Sequence, residues 1–112
     1  MTGVKEFFED GFSTDLRARV RQLLPLRVAV AFELTGEAGG VWIVRNDAAG
    51  VRVSREANKR VDCRLRCSEE ELMAIIEGRN DPRNAFFQGR LEVEGDIGLA
   101  LKIQQAVMAR AA

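Results

Sequence analysis

The sequence predicts an α+β fold, in which a sheet of about five mostly antiparallel strands is covered on one face by helices. Three observations predict it. Several segments alternate apolar and polar residues, as half-buried strands do. Other segments repeat apolar residues at helical spacing and are bounded by capping residues. The 112 residues contain no internal repeat or linker, so we expect a single domain over 1–112, with N-terminal helices in 1–25 and the core in 26–110.

Two helices are predicted before the sheet. Residues 4–9 form a short helix, and Ser13 is positioned to cap a second helix over 14–24. The apolar stripe of the second helix is flanked by three arginines, Arg17, Arg19 and Arg21. These arginines either form a solvated helix face or contact an anionic membrane or a partner.

Five strands are predicted, at residues 28–34, 41–45, 51–54, 61–67 and 91–94. The first, fourth and fifth alternate in their side chains, whereas the second is apolar on both faces. Turns at 36–40 and 46–50 separate the first three, so we expect these to form an antiparallel meander. The inward-facing residues of the fourth strand are Val61, Cys63, Leu65 and Cys67.

Three further helices are predicted in the second half of the chain. Ser68 can cap the first, and Glu71 stands at its third position, which is the pattern of a reciprocal capping box. An aspartate–proline pair opens a short helix over 82–87. The final helix covers 97–110 and carries an apolar arc of about 220°, although a surface helix needs only about 100°.

The excess width of this arc must be buried by the domain, border an apolar space or meet a partner. Gln104 lies within the arc. A buried amide needs a hydrogen-bond partner, which is either the backbone or the polar head of a ligand.

The composition excludes several function classes. Seventeen basic residues balance seventeen acidic ones, which argues against nucleic acid as a partner. The absence of histidine removes Ser-His and Cys-His catalysis and imidazole metal ligands, so we expect no catalytic residue, metal or cofactor. Cys63 and Cys67 lie about 13 Å apart on one strand and cannot form a disulfide. No apolar run is long enough to span a membrane and the N-terminus is too acidic for a signal peptide, so we expect a cytoplasmic protein.

Residues 59–107 carry a set of features at fixed spacing: Val61-Asp62, Ser68 to Leu72, Gly78, Asp81-Pro82, the run Ala85 to Leu91 (AFFQGRL), Gly95-Asp96 and Ala100 to Ile103. In these features the chain resembles the sterol carrier protein 2 family, and the resemblance extends over about 26–108. It implies a hydrophobic tunnel between the sheet and the helices, bordered by the C-terminal helix. It also implies a lipid-like ligand, such as a fatty acid, fatty acyl-CoA, sterol, phospholipid or isoprenoid lipid.

The function that follows is the non-catalytic binding and carriage of a lipid. An alternative is an accessory protein that presents a lipid intermediate, for example a quinone precursor, to biosynthetic enzymes, with transient membrane or enzyme-complex contacts. An enzyme would have only Cys63 and Cys67 as nucleophiles, without a base. We expect Phe86 and Phe87 to enter the core and a neighbouring space, since adjacent helical residues point about 100° apart. The candidate tunnel-lining residues are Phe32, Trp42, Met73, Ile76, Phe86, Phe87, Gln88, Leu99, Ala100, Ile103, Gln104 and Val107.

Overall fold

The computed structural model describes residues 3–9, 14–37, 39–55 and 60–108. The predicted cap Ser13 and the predicted helix end at 109–110 lie outside these residues. The elements, in chain order, are α1 (Val4–Glu9), α2 (Thr14–Leu23), β1 (Val28–Thr35), β2 (Gly40–Asp47), β3 (Gly50–Ser54), β4 (Cys63–Ser68), α3 (Glu69–Ile76), α4 (Pro82–Phe87), β5 (Glu92–Gly95) and α5 (Ile97–Met108).

The five strands form one mixed sheet in the order β3-β2-β1-β4-β5. β1 pairs with β2, and β2 with β3, in antiparallel register, which confirms the meander. β4 lies on the other side of β1 and runs parallel to it, and β5 is antiparallel to β4. The parallel pair requires the chain to cross the sheet between β3 and β4. The predicted α+β class and the mostly antiparallel sheet are confirmed.

Val61, near the end of the crossover, lies on the face of the sheet opposite to the one that the helices cover. There Val61 packs against the buried side chains of Ala29 and Ile43. The carboxylate of Asp62 accepts a hydrogen bond of 2.8 Å from the backbone nitrogen of Ala29. The prediction that Val61 faces inward with Cys63 is therefore wrong, because β4 begins only at Cys63 and Val61 still belongs to the crossover.

The main core lies between the other face of the sheet and the helices. Each described helix contributes buried apolar side chains to it, from Val4 in α1 to Val107 in α5. Burial of this apolar surface is the dominant favourable contribution to folding. The strand residues that face this core alternate along their strands, as predicted for β1 and for β4 from Cys63 onward: Val30, Phe32, Leu34, Trp42, Val44, Val51, Cys63, Leu65 and Cys67.

The three arginines of α2 fasten that helix to its neighbours. Arg19 Nε donates to the carbonyl oxygen of Ala106 in α5 at 3.0 Å, and Arg17 donates to the carbonyl oxygen of Val51 in β3. Arg21 donates to a backbone carbonyl at the end of β2. Arg17 and Arg21 are exposed, as a solvated face predicts, and Arg19 is half-buried, while each guanidinium group also holds α2 against another element. Contact with a membrane or a partner stays a prediction.

A fully buried asparagine joins the end of α2 to the sheet. Asn46 Nδ2 donates to the carbonyl oxygens of Leu24 at 2.9 Å and Pro25 at 3.2 Å. Its Oδ1 accepts a hydrogen bond of 3.2 Å from Arg21. Sequence analysis placed Asn46 in a turn, but β2 continues through it, paired with Val28. A buried amide with all of these partners is satisfied and holds the loop in place.

Only one of the two hydrogen bonds of the predicted capping box of α3 is present. Ser68 Oγ accepts a hydrogen bond of 3.0 Å from the backbone nitrogen of Glu71, which confirms Ser68 as the N-cap. The carboxylate of Glu71 does not complete the reciprocal box. It accepts hydrogen bonds from Asn80 and Arg90 instead, so the prediction of a full capping box is wrong.

Candidate functional site

A small apolar pocket lies where α3, the α4 segment and α5 meet the inner face of the sheet. Its volume is about 20 Å³. This is room for about one water molecule, whereas ligand pockets generally measure about 300–1,000 Å³. An apolar space thus exists where the sequence predicts a tunnel, and a continuous tunnel stays a prediction. The lining residues are Phe32, Leu65, Cys67, Leu72, Ile75, Pro82, Leu91, Ile103, Gln104 and Val107.

The structure brings a third of the predicted site residues to this pocket. Those that line it are Phe32, Ile103, Gln104 and Val107. Five others are buried in the same core without lining the pocket: Trp42, Met73, Ile76, Leu99 and Ala100. The remaining three are exposed at the surface: Phe86, Phe87 and Gln88. Contact of any of these residues with a ligand stays a prediction.

Six pocket residues were missed as site residues, although their patterns were visible. Leu65, Cys67 and Leu91 are inward-facing strand positions by alternation. Leu72 and Ile75 are three apart, so they share the face of α3 that lies over the pocket. The predicted Met73 and Ile76 are one position further along, about 100° around the same helix. The sixth residue, Pro82, was assigned only the role of opening α4.

The two adjacent phenylalanines of α4 both lie at the surface. The exposed fraction is 46% for Phe86 and 83% for Phe87, and their rings meet edge to face at 5.8 Å. The expectation that one ring enters the core is wrong. α4 buries Pro82 and Ala85, which are three apart, and the two phenylalanines follow Ala85 at about 100° and 200° around the helix.

Gln104 and Pro82 separate the pocket from a groove on the surface. Both residues line the interior pocket and also an open groove of about 600 Å³ between α5 and the segment before α4. Gln104 is half-buried, and its amide forms no hydrogen bond with the part of the chain that the structure describes. A polar group between an apolar interior and the surface suits the head of an amphiphile. The other groove residues are Gly78, Asn80, Asp81, Arg83, Leu101 and Gln105.

The apolar arc of α5 is only partly covered by the domain. Leu99, Ile103 and Val107 are buried against the sheet and the other helices. Ile97 and Leu101, at the edge of the arc, are 60% and 51% exposed. The excess width therefore lies at the surface, with Leu101 in the groove. None of the helices in the described ranges is long and apolar enough to cross a membrane.

An aromatic cluster closes the core at the α1 side. The ring of Phe8 stacks on Trp42 at 5.0 Å between centroids and lies 5.2 Å from the ring of Phe32. The guanidinium carbon of Arg55 lies 4.2 Å from the centre of the Trp42 ring, within the range of a cation–π interaction. Trp42 Nε1 is buried without a hydrogen-bond partner among the described residues. Phe32 joins this cluster to the pocket.

The two cysteines of β4 are buried thiols. Burial, with a smaller contribution from Asp96, raises the pKa of Cys63 to about 11. Burial and the charge of Glu71 raise the pKa of Cys67 to about 12. Both groups are therefore protonated at neutral pH, whereas a nucleophilic cysteine requires a lowered pKa. Within the described residues, no group of three or more Cys, Asp or Glu side chains could hold a metal ion.

The model of the SCP-2 sterol transfer family matches residues 13–108. The chain belongs to this family. It is 34% identical over 77 residues to sterol carrier protein 2 of Rattus norvegicus, and 33% identical over 75 residues to hydroxysteroid dehydrogenase-like protein 2 of the same organism. Each match covers 66% of this chain but only 14% of the relative's length. The family supports a role in lipid binding or transfer, and the activities of the longer proteins are not carried over with it.

Solved structures confirm the fold. The sterol carrier protein domain 2 of Helicoverpa armigera superposes with a TM-score of 0.68 at 25% identity, over 96% of this chain and 87% of that one. A structure named UbiJ-SCP2 Ubiquinone synthesis protein gives 0.66 at 20% identity, over 94% and 81%. Palmitated SCP2L2 of Aedes aegypti gives 0.65 at 21% identity, over 95% of each chain. The last two likenesses concern the fold alone.

Proposed function

We propose that the chain binds one lipid-like molecule between its helices and the sheet and carries it without chemical change. The observation that carries this proposal is the apolar pocket whose wall, at Gln104 and Pro82, is shared with a surface groove. A tail in the interior and a head at the Gln104 amide would match the apolar and polar parts of this site. A fatty acid, fatty acyl-CoA, sterol or isoprenoid lipid has the required chemistry, and membership of a sterol transfer family supports this class of ligand.

Binding requires the pocket to widen. The present volume of about 20 Å³ cannot hold an acyl chain, so the helices must move away from the sheet when a tail enters. Burying roughly 300–400 Å² of tail contributes about 8–10 kcal/mol, from which losses of ligand and side-chain freedom are subtracted. The remainder corresponds to micromolar affinity with weak discrimination between tails.

The test is uptake of a fluorescent fatty acid, cis-parinaric acid, by delipidated protein. Gln104→Trp places a bulky ring at the boundary of the pocket, and Lys102→Trp introduces the same ring at an exposed position of α5. We expect Gln104→Trp to weaken binding at least about tenfold, which corresponds to about 1.4 kcal/mol, and Lys102→Trp to bind like the parent. No uptake by the parent protein, or equal uptake by both variants, would contradict the proposal.

The second candidate function is presentation of a lipid intermediate to biosynthetic enzymes. It is favoured by the likeness in fold to a protein named for ubiquinone synthesis, although at 20% identity. The two functions differ in their partners. Co-purification of the chain with a stable enzyme complex would favour presentation, whereas transfer of bound lipid to vesicles by the isolated chain would favour free carriage.

A further inference from the structure

Glu71 is buried, with 8% of its surface exposed, and no other acidic residue is buried among the residues whose side-chain burial the structure describes. Its carboxylate accepts a hydrogen bond of 2.8 Å from Asn80 Nδ2 and one of 2.7 Å from Arg90 Nε. A buried charge is costly unless it is paired and hydrogen-bonded, as it is here. Glu71 is not required for the cap of α3, because Ser68 performs that role through the backbone nitrogen.

The two partners of Glu71 stand at the two ends of the α4 segment. Asn80 precedes α4 by two residues and Arg90 follows it by three. Residues 80–91, which we call the strap, also form a unit held together internally: the carbonyl oxygen of Ala85 accepts hydrogen bonds from the backbone nitrogens of Arg90 at 2.8 Å and Leu91 at 3.1 Å. One carboxylate therefore bonds to both ends of the strap; at the first end the backbone nitrogen of Asn80 also donates to the carbonyl oxygen of Ala74 in α3 at 3.2 Å, so Arg90 is the end that depends on Glu71 most.

The strap forms one wall of the apolar pocket. Pro82, two residues after Asn80, lines the pocket, and so does Leu91, directly after Arg90. Leu72, directly after Glu71, lines it from α3. α4 itself buries only Pro82 and Ala85, so little apolar surface holds the strap in place apart from these contacts and Leu91.

We propose that the strap is the wall that opens to admit lipid, and that Glu71 is the positioning residue that holds it closed. This inference rests on the proposed function, since it names the moving part of the same site. Opening the strap widens the pocket toward the surface groove, because Pro82 is shared by the two spaces. The rate at which lipid enters and leaves is then set by the breaking of the two hydrogen bonds that Asn80 and Arg90 donate to the carboxylate of Glu71.

The test compares Glu71→Gln with Glu77→Gln. Glu77 follows α3 and pairs with Arg79 at the surface, so the same change of carboxylate to amide there leaves the strap untouched. A charged carboxylate accepts stronger hydrogen bonds than a neutral amide, so we expect the dissociation rate of cis-parinaric acid into acceptor vesicles to rise at least about tenfold in Glu71→Gln. Glu77→Gln should dissociate at the parent rate. Asn80→Ala, which removes one of the two bonds, should give an intermediate rate and serves if Glu71→Gln does not fold.

The cysteines provide a readout that needs no lipid. Cys67 lines the pocket beneath the strap, and Cys63 is buried at the other end of the same strand without lining it. We expect alkylation of Cys67 by N-ethylmaleimide, measured by peptide mass spectrometry, to accelerate about tenfold in Glu71→Gln while Cys63 keeps its parent rate. Equal acceleration of both thiols indicates general destabilisation and would overturn the inference, as would unchanged labelling of Cys67. If the parent protein binds no fatty acid, the proposed function fails, whereas unchanged rates in a parent that does bind overturn the strap alone.

Discussion

Truncation of a pocket residue and of its counterpart on the opposite face of the sheet separates stability from ligand binding. Ile103 lines the pocket and is fully buried, and Ile43 is equally buried beneath the crossover. Ile→Ala at either position removes three carbon atoms. At about 0.8 kcal/mol for each buried group the transfer cost is about 2.4 kcal/mol, and the cavity left behind brings the total to about 3–5 kcal/mol.

Both variants should therefore unfold at a lower temperature, with a Tm lowered by about 10–20 °C for a domain of this size. Only Ile103→Ala adds the lost volume to the pocket. A lipid tail that fills this void recovers part of the cavity cost, so we expect Ile103→Ala to bind palmitate about fivefold more tightly than the parent, which corresponds to about 1 kcal/mol. Ile43→Ala should bind palmitate with the parent affinity.

Differential scanning calorimetry with and without excess palmitate measures both effects on the same samples. Ligand at a hundred times its Kd raises the unfolding free energy by about 2.7 kcal/mol. At a fixed palmitate concentration, the rise in Tm should thus be larger for Ile103→Ala than for Ile43→Ala. An equal rise in the two variants, or a smaller one in Ile103→Ala, would refute the assignment of the ligand to this space.

Three further results are expected. Asn46→Ala should lower the unfolding free energy in urea by about 1–3 kcal/mol, because two buried carbonyl oxygens lose their donor; a loss below about 0.5 kcal/mol would show that water replaces the amide. Cys63 and Cys67 should resist alkylation by iodoacetamide in the native protein at pH 7.5 and react in urea. The reason is that burial raises the pKa of these thiols to about 11 and about 12. Rapid alkylation of the native protein would contradict the burial of the two thiols. Burial alone raises the pKa of Glu71, but the hydrogen bonds from its partners outweigh burial and leave it below the ordinary value of 4.5. The contribution of Glu71 to stability is thus complete above pH 4.5 and is lost as the pH falls through the lowered pKa. The unfolding free energy measured in urea should therefore fall less steeply with decreasing pH in Glu71→Gln than in the parent. Parallel curves for the two proteins would contradict this.

Elements with a regular pattern could be predicted from the sequence. β1 alternates between the main core, which receives Val30, Phe32 and Leu34, and the other face of the sheet, where Ala29 and Ala31 are buried. Ser68 and the α4 proline mark helix starts by simple chemistry. The meander follows from short turns, which leave neighbouring strands antiparallel. The parallel placement of β4 beside β1 has no local signal, because it depends on a crossover that brings distant residues together.

Polar side chains were harder to predict, because their partners are distant in the sequence. The arginines of α2 were expected either on a solvated face or in contact with a membrane or partner, and neither alternative predicts that each also donates to a carbonyl or amide on another element. Asn46 read as a turn residue, yet its amide is buried by the α2–β1 loop. Glu71 read as half of a capping box, yet Asn80 and Arg90 compete successfully for its carboxylate. In each case a long-range contact outweighs the local preference.

The candidate site was predicted in part for the same reason. The wide apolar arc of α5 includes Ile103, Gln104 and Val107, and these residues line the apolar pocket because helical periodicity determines which residues share a face. Their contact with a ligand stays a prediction. The placement of Phe86 and Phe87 depended on which face of α4 meets the core, and a helix of six residues is too short for its periodicity to decide this.

The most direct test is the position of a bound acyl chain. Protein with labelled methyl groups and unlabelled palmitate allows contacts between them to be measured as intermolecular nuclear Overhauser effects. We expect contacts from the acyl chain to the methyl groups of Ile103, Val107 and Leu72, and none to Ile43. Contacts confined to exposed residues such as Leu26, or an absence of contacts when palmitate is in excess, would contradict carriage of a lipid between the helices and the sheet.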